Sequence, residues 1–164
     1  AARIAGAYPI IAVDLHASRR ALAQELGATH ALDGAADPFA EIARLCPQGL
    51  AHAFDTTGRK DIIEAAFAQL APLGSLGMVG ASDFTDMITF NEAAFMGGGR
   101  TVKGILGGDS DLQGFLPELI AHHLAGRFAH DRLIRTFPFA GINEAIAASE
   151  SGEVVKPVLV FEDT

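Results

Sequence analysis

The stretch IIAVDL, residues 10–15, decides the fold. Its apolar residues lead to a carboxylate, Asp14, which is the pattern of a buried strand with an acidic residue at its end. The next segment, RRALAQEL, has helical spacing; Ser18 is expected to cap it and Gly27 to end it. The stretch therefore predicts a strand followed directly by a helix.

The same alternation continues along the chain. Further short apolar runs predict strands at HALD (30–33), AHAFDT (51–56), SLGMVG (75–80), TVKGIL (101–106) and PVLVFE (157–162). Helical spacing is found in PFAEIARL, in DIIEAAFAQLA, in LQGFLPELIAHHLAG and in INEAIAASESG. In DIIEAAFAQLA, the stripe Ile62, Ala66 and Leu70 is expected to face the core, and Pro72 to stop the helix. Segment 83–99 is the least regular.

Strands that alternate with helices across short connections predict an α/β fold with a doubly wound parallel sheet. No repeat or linker divides the chain, so residues 1–164 are expected to form one domain. Function in such sheets lies at the carboxyl ends of the strands.

Composition excludes several classes of function. The net charge of −8 and the scattered basic residues argue against nucleic acid as a partner. No apolar run is long enough to span a membrane, and no secretory signal is visible, so a cytoplasmic location is expected. Cys46, the single cysteine, is expected to be a small apolar residue near a helix end.

Asp14 is the first candidate for binding chemistry. An ionised carboxylate at a strand end can accept hydrogen bonds from both hydroxyls of an adenosine ribose, and it would repel a 2′-phosphate. This favours NAD over NADP, although Arg19 could flank the same ribose and leaves a small opening for NADP. On this evidence alone, a simple cap for the next helix is an equal alternative. Methyltransferases that bind S-adenosylmethionine share such an acid.

The glycine fingerprint that normally accompanies this acid is not found. A G-x-G-x-x-G motif belongs about twenty residues earlier, before the chain starts. GSLGMVG (74–80) and MGGGR (96–100) have the wrong context and predict turns. The expected sheet is therefore incomplete, lacking its first strand and Gly-rich loop. The chain is expected to be a piece of a larger protein or the product of a truncated gene; a less favoured alternative is that another segment fills the gap.

Five segments in order resemble one family. They are ARIAGAYPIIAVDL, RRALAQELGATHALD, FDTTGRKDIIEAAFAQLAPLGSLGMVGAS, RTVKGILGGDS and GRFAHDRLIRTFPFAGINEAIAASESGEVVKPVLVF. Together they resemble the cofactor-binding (Rossmann) half of zinc-dependent, medium-chain alcohol dehydrogenases. GDSDLQGFLPELI and the last segment are most similar to the aryl (benzyl) alcohol branch.

The resemblance implies how NAD is bound. Asp14 and Arg19 match positions that hold the adenosine ribose, and Lys156 matches a basic residue that contacts the pyrophosphate, as suits a cation. The residues that match the turn along the adenine side are Thr56, Thr57 and Gly58. Those that match the strand ends near the nicotinamide are Val79, Gly80, Ala81, Ile105 and Leu106.

No catalytic or metal-binding residue is predicted in this chain. The family holds its catalytic zinc with two cysteines and a histidine, which are expected only in the missing catalytic part. Cys46 matches none of them. His122, His123 and His130 are assigned a surface or core role, because no cysteine or carboxylate was found at ligand spacing. The only tyrosine, Tyr8, lacks the lysine of a Tyr-x-x-x-Lys motif.

The favoured hypothesis is a fragment of an NAD-dependent alcohol dehydrogenase that acts on an aryl or other primary alcohol. This chain alone is not expected to be catalytic. The expected partners are a small alcohol or aldehyde and further copies of the chain, in a dimer or tetramer formed through the 101–106 edge strand, with no nucleic acid or membrane. The alternatives are a non-catalytic remnant that self-associates and, less favoured, a methyltransferase.

Overall fold

The computed structural model describes residues 1–83 and 85–161. In these residues the strands are β1 (Ile11–Asp14), β2 (His30–Asp33), β3 (Leu50–Asp55), β4 (Leu70–Met78), β5 (Thr101–Gly104), β6 (Ile134–Pro138) and β7 (Lys156–Val160). The helices are α1 (Ala17–Glu25), α2 (Pro38–Leu45), α3 (Lys60–Ala68), α4 (Glu92–Gly97), α5 (Leu112–Leu124) and α6 (Ile142–Glu150). Every strand pair is parallel, which confirms the predicted α/β class.

The chain divides into two compact units. The first comprises residues 1–36 and 111–164, and the second comprises residues 37–110. In the first unit β1 pairs with β2, and β6 pairs with β7. In the second unit β4 lies between β3 and β5. The parallel strands thus form three small sheets among the described residues, whereas one sheet was expected.

Each unit has its own apolar core. In the second unit Leu76 of β4 is fully buried beside Ile63 and Phe67 of α3. In the first unit the core forms between α6 and the β6–β7 pair, around Phe137 and Ala145. Burial of a leucine side chain stabilises a fold by about 1.5–3 kcal/mol. The core around Leu76 therefore fixes β4, and with it the strand end that follows.

Two sequence predictions about helices were wrong. α1 begins at Ala17 after His16, and Ser18 lies inside the helix, where its Oγ donates to the carbonyl of Gly152 at 3.2 Å. Ser18 therefore binds a distant part of the chain and does not cap the helix. α3 ends at Ala68 and buries Ile63 and Phe67. Of the predicted stripe, Leu70 is buried in the same core but belongs to β4, and Ala66 packs against that core. The reason is that the chain enters β4 at Leu70, so that Pro72 lies within a strand.

Two elements were not predicted. α4 forms inside segment 83–99, where Asn91 caps it through Oδ1 and the amide of Ala94 at 2.8 Å. The other unpredicted element is β6, where apolar and polar residues do not alternate and only Phe137 is buried. Glu162, the last residue of the predicted strand 157–162, lies outside the described residues. In the described part of the chain, no helix combines the length and hydrophobicity needed to cross a bilayer.

Candidate functional site

Asp14 ends β1, and one of its two carboxylate oxygens is engaged in a hydrogen bond within the chain. Oδ1 accepts a hydrogen bond from the amide of His16 at 2.8 Å. His16 precedes α1, so Asp14 does not bind the free amides of the first helical turn. In the described part of the chain, Oδ2 accepts no hydrogen bond and no cation pairs with the group. The strand end therefore presents an acceptor that can take further donors.

Arg20, and not Arg19, lies beside Asp14. Its Nη1 donates to the carbonyls of Asp14 and Leu15, each at 2.9 Å. Its Nη2 lies 3.0 Å from a carboxylate oxygen of Asp33, which ends the adjacent strand β2 opposite Asp14. Arg20 therefore joins two neighbouring strand ends and neutralises Asp33 while leaving the Asp14 carboxylate without a cation.

Arg19 points away from this strand end. Its Nη2 donates to the carbonyl of Ser149, near the end of α6, at 3.2 Å. Adjacent residues project about 100° apart around a helix, so Arg19 and Arg20 cannot both face the same strand end. Sequence reasoning chose Arg19 and missed Arg20, because the pattern alone did not fix the rotation of the helix.

In the second unit, a buried aspartate organises the turn after β3. Asp55 is 3% exposed. Its Oδ1 accepts from the amide and the hydroxyl of Thr57 at 3.2 and 2.7 Å, and its Oδ2 accepts from the amide of Gly58 at 2.9 Å. Sequence reasoning missed this residue as a positioning group, although it is an aspartate that ends a strand, as Asp14 is.

The same aspartate connects this turn to the end of β4. Its carbonyl accepts from the amides of Val79 and Gly80 at 2.8 and 3.2 Å. A Cβ on Gly80 would lie 2.5 Å from the amide nitrogen of Gly58, so only glycine allows the two turns to meet. The structure thus brings together six predicted site residues: Thr56, Thr57, Gly58, Val79, Gly80 and Ala81.

The end of β5 lies next to the end of β4. The amide of Ile105 donates to the carbonyl of Met78 at 2.8 Å, which extends the pairing of the two strands. Leu106 follows and is 90% exposed. The ends of β3, β4 and β5 therefore form one continuous edge, with apolar side chains and backbone groups at the surface.

Lys156 opens β7 in the first unit. It lies opposite Ile134 of β6 and is exposed. Within the described residues it has no ion pair or hydrogen bond, so its ammonium group is available to an anion.

The residues present do not fit a cysteine-containing zinc site. Cys46 is free and lies at the end of α2, as predicted. In the described ranges, the group of three metal-capable residues that lie within reach of one another is His123, His130 and Asp131, which contains no thiol. The expectation that no carboxylate lies near these histidines is wrong, because the turn after α5 folds back onto the helix and brings Asp131 close to two of them.

Comparisons with known proteins agree along the length of the chain. The sequence profile of a family described as "Zinc-binding dehydrogenase" matches residues 1–121. A geraniol dehydrogenase from Castellaniella defragrans is 42% identical over 162 residues, which are 98% of this chain and 43% of that protein.

Two crystal structures are similar in sequence and in fold. An alcohol dehydrogenase zinc-binding domain protein from Burkholderia ambifaria is 41% identical, with a TM-score of 0.94 over 99% of this chain and 44% of that one. A benzyl alcohol dehydrogenase from Acinetobacter calcoaceticus is 33% identical, with a TM-score of 0.94 over 98% of this chain and 45% of that one. The chain therefore spans less than half the length of the relatives it matches.

Proposed function

Because the chain belongs to the zinc-binding dehydrogenase family, we propose that it forms the NAD-binding part of an alcohol dehydrogenase. The observation that carries this proposal is the carboxylate of Asp14, which stands at the end of β1 with an oxygen that accepts no hydrogen bond from the residues described. Parallel strand ends of this kind bind dinucleotides in α/β sheets.

Within the first unit, the proposed contacts are to the adenosine ribose and to the pyrophosphate. Asp14 can accept both ribose hydroxyls, and its charge disfavours the 2′-phosphate of NADP. Arg20 is fixed to the carbonyls of Asp14 and Leu15, so we add it as a neighbour of the ribose. Arg19 can contact the ribose, as the resemblance implies, only if its guanidinium gives up the hydrogen bond to the carbonyl of Ser149. We assign Lys156 to the pyrophosphate.

Within the second unit, the proposed contacts come from the strand-end turns. Thr56, Thr57 and Gly58 are proposed to lie along the adenine side. The residues proposed to meet the nicotinamide are Val79, Gly80, Ala81, Ile105 and Leu106. Asp55 supports both assignments, because it fixes the turn after β3 and the end of β4 at once.

The proposed reaction moves a hydride between a primary alcohol and NAD. NAD would supply the hydride acceptor, so that the alcohol would lose a hydride from carbon and a proton from oxygen to solvent and become an aldehyde. The residues of this chain orient the dinucleotide. The catalytic zinc is assigned to residues outside this chain, since the donor set here lacks the cysteines, and catalysis by the chain alone is not proposed.

The substrate class is proposed from the relatives. The names of two of them refer to benzyl alcohol and geraniol, which are both primary alcohols with an unsaturated carbon beside the reacting carbon. An aryl or allylic primary alcohol is therefore the substrate class that we propose. A homo-oligomer through the β5 edge, the absence of nucleic acid and membrane partners, and a cytoplasmic location stay predictions from sequence.

NADH binding to the full chain tests the proposal. The chain contains no tryptophan, so the emission of NADH itself can be followed without overlap from the protein. We expect saturable binding, with NADH preferred over NADPH. Asp14→Asn removes a charged acceptor of two hydroxyls and should weaken NADH binding about tenfold, which corresponds to about 1.4 kcal/mol. The same variant should also reduce the ratio of the affinity for NADH to the affinity for NADPH.

The matched control is Asp61→Asn, which removes the same charge from an exposed position on α3. This variant should bind NADH like the unchanged chain. Equal weakening in both variants would show a general charge effect and would contradict the role of Asp14. No saturable binding at all would contradict the proposed function for this chain.

A further inference from the structure

The turn after α5 brings three metal-capable side chains together in the first unit. His123 lies in the last turn of α5, and His130 and Asp131 belong to a 3₁₀ turn, His130–Leu133. The backbone reverses between them, with the amide of Gly126 bonded to the carbonyl of His123 at 2.8 Å. One ligand atom from each of the three residues lies within 4.8 Å of the other two.

The hydrogen bond of His123 leaves one ring nitrogen available to a metal. Its Nδ1 lies 3.0 Å from the carbonyl oxygen of Phe128. A carbonyl only accepts, so Nδ1 carries the proton and Nε2 keeps its lone pair. Histidines that bind metals commonly donate their other ring N–H to a backbone carbonyl in this way.

His130 is held in place by ring packing. Its ring meets that of His123 edge-on, at 4.4 Å between centroids and 64° between planes. It also stacks on Phe128 at 5.5 Å and 27°. His130 and Asp131 are exposed, so an ion can reach them from solvent. The cluster thus combines an ordered pair of imidazoles with an accessible carboxylate.

The nearby cations are directed elsewhere. Arg127 donates from Nε to the neighbouring His122 at 3.1 Å. Arg132 forms an ion pair with Glu25. Asp131 itself lies 3.8 Å from Nδ1 of His123, which is too long for a hydrogen bond. Among the described residues no arginine pairs with this carboxylate, which is exposed and can turn toward a bound ion.

We propose that His123, His130 and Asp131 form a binding site for a divalent transition-metal ion, with Zn²⁺ as the best fit. Imidazole nitrogen and carboxylate oxygen are ligands that Zn²⁺ accepts, with water in the remaining position. Ligand atoms around tetrahedral zinc are about 3.3 Å apart, given bonds of about 2.0–2.1 Å. His130 and Asp131 are exposed and can move toward His123, which shortens separations that are at most 4.8 Å. None of its three residues is among those proposed to bind the dinucleotide.

Calorimetric titration of the full, untagged chain with ZnCl₂ tests the site. We expect one zinc ion per chain. His130→Phe keeps a flat ring over Phe128 but removes the ligand nitrogen, and Asp131→Asn removes the carboxylate charge. Each should weaken zinc binding by at least about tenfold. His122→Gln alters the adjacent histidine on the same helix, outside the cluster, and should bind zinc like the unchanged chain.

Three results would overturn the proposal: unchanged zinc binding in both cluster variants, equal loss in His122→Gln, or a thiolate-to-metal charge-transfer band with Co²⁺. That band would place the ion on Cys46. Urea unfolding of the metal-free variants separates lost ligation from lost structure. If His130→Phe fails to fold, Asp131→Asn alone decides the result, because an exposed amide at that position leaves the helix and the ring stacking in place.

Discussion

At the scale of single residues, Asp55 is the side chain on which the turn after β3, part of the proposed dinucleotide site, depends most. Asp55→Ala would leave the amides of Thr57 and Gly58 without their acceptor, in a turn where Gly58 is buried. Loss of these charge-assisted bonds should lower the free energy of unfolding by about 2–4 kcal/mol in urea titration. Asp55→Asn keeps one carbonyl oxygen and should cost less.

The control for this prediction is Asp61→Ala. Asp61 is exposed and forms an ion pair with Arg59, so its loss should change the free energy of unfolding by less than about 0.5 kcal/mol. If Asp55→Ala and Asp61→Ala unfold at the same urea concentration, the carboxylate of Asp55 does not stabilise the turn.

The two strand-end aspartates show what the sequence could predict at this scale. Asp14 follows an apolar run and was identified from that pattern. Asp55 has the same context, but its importance comes from burial and from amides on two turns, one of them more than twenty residues away. The choice between Arg19 and Arg20 depends on how α1 is rotated, which packing against residues 149–152 decides.

At the scale of elements, an ion pair holds the segment that follows β5. Nζ of Lys103 lies 2.7 Å from Oδ2 of Asp109. The hydrogen bond from Lys103, together with its charge, lowers the pKa of Asp109 below the ordinary value of 3.8. The pKa of Asp109 is therefore lower in the folded chain than in the unfolded chain. The ion pair stabilises the fold fully at pH values above the pKa of the unfolded chain. This contribution is lost as the pH falls through the lowered pKa.

Carboxyl NMR titration checks the pair directly. Lys103→Met should raise the pKa of Asp109 toward its ordinary value, and added salt should act in the same direction. Asp83 is the internal control: the amide and then the hydroxyl of Thr85 lower its pKa, so Lys103→Met should leave it unchanged. A pKa of Asp109 that stays low in the variant would contradict the role of Lys103.

Elements with strong local signals were predicted closely, and the others were not. HALD and PFAEIARL match β2 and α2 residue for residue, since apolar runs and a proline at the first turn are local signals. β6 was missed because its residues are mostly exposed and only pairing with β7 makes them a strand. The end of α3 depends on the pairing of Leu50 with Leu70, which no local pattern contains.

At the scale of the whole molecule, the α/β class and the family followed from the order of the segments. The cluster of His123, His130 and Asp131 did not, because its members come together only when the chain reverses after α5. Sequence spacing gives no direct measure of such a reversal.

Self-association is the prediction that belongs to this scale. Among the described residues β5 pairs only with β4, so its other edge is free to pair, and Leu106 beyond it is 90% exposed. We expect the sedimentation coefficient of the chain to rise with concentration. Thr101→Lys places a second cation on β5 beside Lys103 and should reduce this rise, because like charges oppose strand pairing.

Gln113→Lys adds the same charge at an exposed position of α5 and should leave self-association unchanged. A stable pair of chains buries at least about 1,000 Å² in total, an area that an edge strand reaches only with apolar neighbours such as Leu106. Leu106→Ser should therefore weaken self-association, as Thr101→Lys does. A sedimentation coefficient that stays at the monomer value at every concentration of the unchanged chain would contradict pairing through β5, and it would count heavily against the self-associating remnant as an alternative to the dehydrogenase.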